Sequence, residues 1–294
     1  MIEVPDISVV MAVYNGEDFL SETLQSVLKQ SYTGFEFLIV DDASDDMTSD
    51  LLARAAATDG RIRVIRNERN LGLTASLNVG LRAASGTYIA RIDADDVCLP
   101  DRLAQQLAFM EANPDHSAVA CGHHVIDASG RTMRTVSGGL DDWQIGWLGG
   151  FNPPAPHPTY FFRRSRNDGS TILYDEAFRT AQDFELWSRL AQQGKTRVLP
   201  DVLVKYRRHA NAITVRKRRE QAANCAFIGR SNLRRRLPAS IVAQLEPLIS
   251  LFSYQSQVDR STMIAAVAGC DAMLAHDLGS APTAGHRRWV RRMT

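Results

Sequence analysis

The sequence predicts an open α/β sheet with crossover helices, and three observations carry that reading. Short apolar, β-branched runs alternate with segments of helical spacing through the first hundred residues. The first run is apolar almost throughout, as a parallel strand covered on both faces requires. Each run ends in polar residues, at the edge where sheets of this kind bind ligands.

Taken in order, "ISVVMAV" (Ile7 to Val13) predicts the first strand and "DFLSETLQSVLKQS" the first helix. "FEFLIVDD" predicts a second strand ending in Asp41 and Asp42, followed by a helix over "DMTSDLLARAAA". "RIRVIRN" is a third strand, "LTASLNVGLRAAS" a helix, and "GTYIARIDADD" a fourth strand running into aspartates. "AQDFELWSRLAQQG" has helical spacing again. After about residue 215 the pattern changes to three helical segments, broken by Pro238 and by a Ser, Gln and Asp stretch. The expected organisation is an α/β domain over residues 1–214 and a helical extension over 215–294.

Composition narrows the function classes. With 294 residues, 45% hydrophobic and 23% charged, the chain can bury a sizeable core. It has no apolar run of about 18 residues and no basic start leading into an apolar stretch, so a cytoplasmic address is expected. Cys98, Cys121, Cys225 and Cys270 are scattered without a CxxC pair, which points to core residues rather than a zinc cluster or disulfides. A net charge of +1 argues against nucleic acid as a partner. Basic residues gather late, from Lys205 to Arg236 and again in "HRRWVRRMT". A basic helix there suits either peripheral contact with anionic lipid at the inner face of a membrane or a solvated face. Trp289 reads as a membrane-touching tail or a frayed end.

The polar strand ends line up: Tyr14 and Asn15, Asp41 and Asp42, Asn67 to Asn70, Asp93 to Asp96. In an extended segment Asp93 and Asp95 point to the same side and repel one another unless a cation lies between them. Mg²⁺ or Mn²⁺ suits carboxylate oxygens and completes its shell with phosphates and water. The competing reading makes these aspartates a helix cap or a solvated loop.

"ISVVMAVYNGEDFLSETLQSVLKQSY", "FEFLIVDDASDD", "NERNLGLTASLNVGLRAASGTYIARIDADDVCLPDRL", "HPTYFFRR" and "AQDFELW" together resemble family 2 glycosyltransferases of the GT-A fold, over roughly residues 5–210. The resemblance implies inverting, metal-assisted transfer of a sugar from a nucleoside-diphosphate donor, UDP or dTDP favoured. The acceptor is expected to be a hydroxyl of a glycan or lipid-linked saccharide in surface polysaccharide assembly. Ala12 and Tyr14 would lie along the base, and Asp42 would accept a hydrogen bond from it, while Asp41 orients the loop or caps a helix. Asn70, Gly72 and Asn78 fit a stretch that reaches toward ribose or phosphate. Arg91 would balance the acidic cluster or touch the diphosphate, and Asp93 would hold ribose or water. Asp95 would ligate the metal together with His209, and Arg207 and Arg208 would assist at the phosphates.

Asp183 matches the family's general base. Trp187, four residues on and so on the same helical face, would stack on an acceptor sugar and desolvate the carboxylate. His157, held extended before Pro158, would meet donor or acceptor, or only pin its loop. Gln182 stands where the family often has glutamate, which puts in doubt any acceptor contact made from that position. Two alternatives remain: a sugar-phosphate nucleotidyltransferase, which usually has a glycine-rich basic loop where "AVYNGEDF" stands, and an inactive carbohydrate-binding relative, in which Asp93, Asp95 or Asp183 would be lost. A dinucleotide-binding oxidoreductase would need GxGxxG after the first strand.

Overall fold

Strand β1 (Ile7–Val13) is buried at every position, because helices cover both faces of the sheet it centres. The structure is a computed structural model that describes residues 5–166, 168–209, 217–252, 260–276 and 282–293. After β1 come α1 (Leu20–Leu28), β2 (Phe35–Asp41), α2 (Thr48–Thr58), β3 (Ile62–Arg66), α3 (Leu73–Ala83) and β4 (Tyr88–Arg91). These are the elements that the periodicity predicts, except that β4 stops at Arg91 and leaves the aspartates outside it. The chain continues through β5 (Val97–Cys98), α4 (Arg102–Ala112), β6 (His116–Ile126), β7 (Thr132–Val136), α5 (Asp142–Leu148), a 3-10 turn (His157–Thr159), β8 (Phe161–Arg163), α6 (Gln182–Gln193) and β9 (Lys195–Arg207). Four helices follow: α7 (Arg218–Arg234), α8 (Ala239–Phe252), α9 (Arg260–Ala275) and α10 (Ala284–Met293).

The strand order is β3-β2-β1-β4-β8-β6-β9-β5, with β7 beside β6. The first four strands are parallel, and the register sets Val13 against Asp41 and Asp41 against Arg66, so their carboxyl ends form one rim. β8 is antiparallel to β4 and β6, whereas β9 is parallel to β6 and antiparallel to β5.

Strand alternation sorts the core into two layers. Ile7, Val9, Met11 and Val13 face α1 and α4, packing on Leu20, Leu24, Leu103 and Leu107. Val10, Ala12, Leu38 and Val40 face the other way, toward Leu77 and Leu81 of α3 and Leu186, Trp187 and Leu190 of α6. A third cluster joins Trp143, Trp147, Leu148 and Phe151 to α7, α8, α9 and α10. Trp289 meets Trp147 edge-on at 5.6 Å, and His286 stacks on Trp143 at 4.4 Å. The tail is therefore a docked helix, and the indole read as a frayed or membrane-touching end is partly buried against Trp147. All four cysteines are buried and free, as their scatter predicts. Among the described residues no helix is long and apolar enough to cross a membrane.

Candidate active site

The loops after β1 and β2 are tied together. Asn15, in the left-handed region at φ 51°, donates from its backbone N–H to Ser44 Oγ (3.0 Å) and accepts from the Asp45 N–H (3.0 Å). Asp41 is buried and fully engaged by the Ser44 N–H (2.9 Å), Ser49 Oγ (2.6 Å) and Arg66 Nη1 (2.7 Å), so it closes the loop. Asp42 draws in the next loop: its Oδ1 accepts from Asn67 Nδ2 and the Leu71 N–H, and its Oδ2 from the Gly72 N–H, all at 2.8 Å. Gly72 adopts φ 87°, a conformation that costs other residues more, and α3 starts immediately after it. Tyr14 stands 49% exposed at the end of β1, above the buried Ala12, and Asn70 lies on the exposed outer side of the loop. Asn78 corrects the sequence reading: it is buried, donating to Tyr174 O (3.0 Å) and Glu176 Oε1 (2.9 Å) and accepting from the Tyr174 N–H (2.8 Å). It ties α3 to the loop before α6 rather than reaching ribose or phosphate.

The three aspartates after β4 have three different partners. The segment turns, with the Asp96 N–H donating to Asp93 O (3.3 Å), so the alternation expected for an extended strand does not hold. Asp93 pairs with the buried Arg91. Asp95 Oδ2 lies 2.8 Å from His209 Nε2. Asp96 is fully buried and accepts the Arg207 N–H at 2.7 Å. Burial and the charge of Asp93 raise the Asp95 carboxyl, and burial with both neighbours raises Asp96 well above the usual range. His209 is delivered by the pairing of β5 with β9, which sets Cys98 against Val204 and Val97 against Lys205.

Arg207 corrects the expectation of a phosphate contact. Its guanidinium is buried, donating to Asp95 O (2.7 Å), to the carbonyls of Asp127 (3.3 Å) and Ala128 (3.1 Å), and to Glu22. Arg208 is exposed, with its backbone N–H on Ile126 O (2.8 Å). Arg102 is buried in a place the sequence reading passed over. It donates to Arg91 O (2.7 Å) and Tyr160 O (3.2 Å) and so fixes the end of β4. Its trace in the sequence is the Arg102 and Gln106 pair, four apart on the apolar face of α4.

Asp183 is the second residue of α6, just after Ala181 at φ 57°. Non-glycine residues rarely hold that conformation, and the strain collects here beside an acid. The carboxylate is half-buried, and burial with the nearby charge of Asp93 pushes it up to about 6, even though it accepts the Phe184 N–H at 2.9 Å. Trp187 is only 1% exposed, packed on Tyr160 at 4.5 Å in the sheet core, so it cannot stack on a sugar. Helical spacing gave its face correctly, but that face is covered by β8 and its approach. His157 is also buried, with Nε2 2.6 Å from the Tyr174 hydroxyl, and burial holds its ring well below the usual histidine range. It pins the loop, and the structure offers it no acceptor contact.

Among the described residues no group of three or more histidine, cysteine or acidic side chains gathers around one point. Asp95 and His209 nevertheless present a carboxylate oxygen and an imidazole nitrogen to one another, both partly exposed. That donor pair fits a divalent cation that takes its other ligands from phosphate and water.

Solved glycosyltransferases share this architecture. The S. aureus TarS structure in complex with UDP-GlcNAc aligns over 92% of this chain and 80% of its own, with a TM-score of 0.67 and 17% identity. The mannosyltransferase PcManGT of Pyrobaculum calidifontis, in complex with GDP-Man and Mn²⁺, aligns over 99% and 81%, with a TM-score of 0.61 and 19% identity. Both likenesses speak to the fold, and the fold is GT-A, that of a glycosyltransferase. The sequence carries the assignment further: residues 8–185 match the model of Glycosyl transferase family 2, and the chain belongs to that family. It is 33% identical over 262 residues to EpsE of Bacillus subtilis (strain 168), whose own glycosyltransferase assignment is provisional, covering 87% of this chain and 92% of that one.

Proposed function

We propose that this glycosyltransferase works with inversion and metal assistance, moving a sugar from a UDP- or dTDP-sugar to a hydroxyl of a glycan or lipid-linked saccharide in surface polysaccharide synthesis. The observation that carries the reading is Asp183: a half-buried acid in the first turn of α6, pushed up to about 6 by burial and the charge of Asp93. Above that pH it is ionised and more basic than an ordinary aspartate, as a general base at neutral pH should be.

In this reading Tyr14 offers its exposed ring to the nucleotide base and Asp42 accepts from it, while Asn70 and Asp93 lie toward ribose. Arg91 offsets the charge of Asp93. Asp95 and His209 would hold Mg²⁺ or Mn²⁺, which when bound neutralises charge on the diphosphate. Asp183 takes the proton of the acceptor hydroxyl as its oxygen bonds to the anomeric carbon. The bond from that carbon to the diphosphate breaks on the opposite face, and the electron pair leaves with the nucleotide. The exposed Arg234, Arg235, Arg287, Arg288 and Arg292 suit an anionic lipid surface, where a lipid-linked acceptor would lie.

The test is release of nucleoside diphosphate from a panel of UDP-, dTDP- and GDP-sugars, with and without Mn²⁺, by the wild type and Asp183→Asn. Metal-dependent turnover of one pyrimidine donor, lost in the variant, is the expected result. Turnover that survives Asp183→Asn would remove Asp183 from the reaction.

A further inference from the structure

One face of α1 turns toward the acidic loop. Phe19, Glu22, Thr23 and Ser26 follow helical spacing from the residue that precedes the helix, and Gln30 continues the line just beyond it. Each reaches either the segment from Ala94 to Leu103 or the pair Arg207 and His209. Ser26 Oγ accepts the Cys98 N–H (3.0 Å), and Gln30 Nε2 donates to Leu99 O (2.8 Å) while its Oε1 accepts the Leu103 N–H (3.0 Å).

Thr23 is fully buried. Its Oγ1 lies 2.9 Å from Ala94 O and 2.8 Å from Asp96 O, so its single hydroxyl proton is shared by the carbonyls on either side of Asp95. Arg207 Nε donates to the carbonyl between them, Asp95 O, at 2.7 Å, and the Arg207 N–H holds Asp96 Oδ1, also at 2.7 Å. Three consecutive carbonyls are thus fixed, with the Asp95 carboxylate directed at His209 Nε2, 2.8 Å away.

The histidine is placed by the same helix end. The Phe19 ring packs against the imidazole, centroids 5.2 Å apart and planes tilted by 55°, and the Arg207 guanidinium lies over the Phe19 ring, 4.6 Å from its centroid. Glu22, one turn on, pairs with that guanidinium. Metal-ligating side chains depend on the groups behind them for their orientation. We infer that Phe19 and Thr23 are positioning residues for the cation: from α1 they set the Asp95 carboxylate and the His209 imidazole against one another, and so fix the affinity for Mn²⁺. The inference rests on Asp95 and His209 holding the metal. If this face of α1 only packed against the loop, Ser26 would matter to metal binding as much as Thr23, since both are hydroxyls bonded to the same segment.

The test uses the full chain with UDP and reads Mn²⁺ binding from the loss of the free-ion EPR signal, alongside the melting temperature. The wild type binds Mn²⁺, and Asp95→Ala does not. Thr23→Val and Phe19→Leu weaken Mn²⁺ binding about ten- to hundredfold, and Thr23→Ser, which keeps the hydroxyl, restores it. Phe19 is only half-buried, so its variant decides the matter if Thr23→Val does not fold. Ser26→Ala, which loses the bond to Cys98, melts lower but binds Mn²⁺ as the wild type does. Wild-type Mn²⁺ affinity in folded Thr23→Val or in Phe19→Leu, no recovery in Thr23→Ser, or an equal loss in Ser26→Ala overturns the inference and leaves the metal reading intact. Failure of the wild type to bind Mn²⁺, or binding that survives Asp95→Ala, overturns the metal reading and the inference with it.

Discussion

Asp183 has an acid pushed up to about 6, where an ordinary aspartate ionises at 3.8. The sign of its effect on stability follows from linkage. The folded state binds the proton more tightly than the unfolded one, so the group's favourable contribution is complete below 3.8 and is lost as pH rises through about 6. At neutral pH the ionised carboxylate costs the fold about 1–3 kcal/mol. Asp183→Asn should therefore melt no lower than the wild type at pH 7.5 while kcat falls about 10²- to 10⁴-fold, the worth of a general base. A variant that is less stable but active would reverse that assignment. The wild-type kcat/KM should fall about tenfold per pH unit below about 6, and a flat profile down to pH 5 would show that another group takes the proton. The candidates Asp93, Asp95, Asp183 and His209 come from motif types and their order, and the structure adds the contacts of Asp93 with Arg91 and of Asp95 with His209. Trp187, His157, Asn78 and Arg207 were not placed correctly, because spacing shows which residues share a face and not what covers it. Trp187 is capped by Tyr160 and Asn78 by the Tyr174 backbone, contacts made across long stretches of chain.

At the scale of elements, the parallel half was readable from β1 to β4 because β1, β2 and β4 are apolar runs buried almost throughout, and the edge strand β3 keeps the β-branched Ile62, Val64 and Ile65. The mixed half was not. β6 carries Gly122 and three histidines, and β9 carries Pro200 and Asp201 within a single strand of 13 residues. Their pairing shifts register at Cys121, Gly122 and His123, so no simple alternation marks either strand. The strand over "YIARIDADD" was read too long, since Arg102 closes β4 at Arg91 from a helix eleven residues later. α3 approaches the sheet through Gly80, where a Cβ would fall 2.8 Å from Val10 Cγ1 and 3.4 Å from Val40 Cγ2. Gly80→Ala should lose about 1–3 kcal/mol in urea unfolding, overpacking outweighing alanine's better helix propensity. A gain in stability would mean that α3 can shift freely, and with it the tie from Asn78 to Tyr174.

For the whole molecule, the boundary expected at residue 214 lies outside the described residues; β9 ends at Arg207, α7 begins at Arg218, and the core joins the parts on either side. Trp143, Trp147 and Phe151 are buried by α7 to α10. A chain ending at 214 should expose them, bind a hydrophobic dye and aggregate, whereas a soluble fragment with native near-UV ellipticity would show that the helices are dispensable for folding. The proposed nucleotide site depends on a metal that Asp95 and His209 would hold. Thermal melting of the wild type and Asp95→Ala, with UDP or dTDP and with or without Mn²⁺, tests it most directly. A ligand at one hundred times its Kd adds about 2.7 kcal/mol, enough to raise the melting temperature by several degrees. That rise is expected for the wild type only with Mn²⁺, and almost none for the variant. Equal shifts in both proteins regardless of metal, or no shift in either, would contradict it.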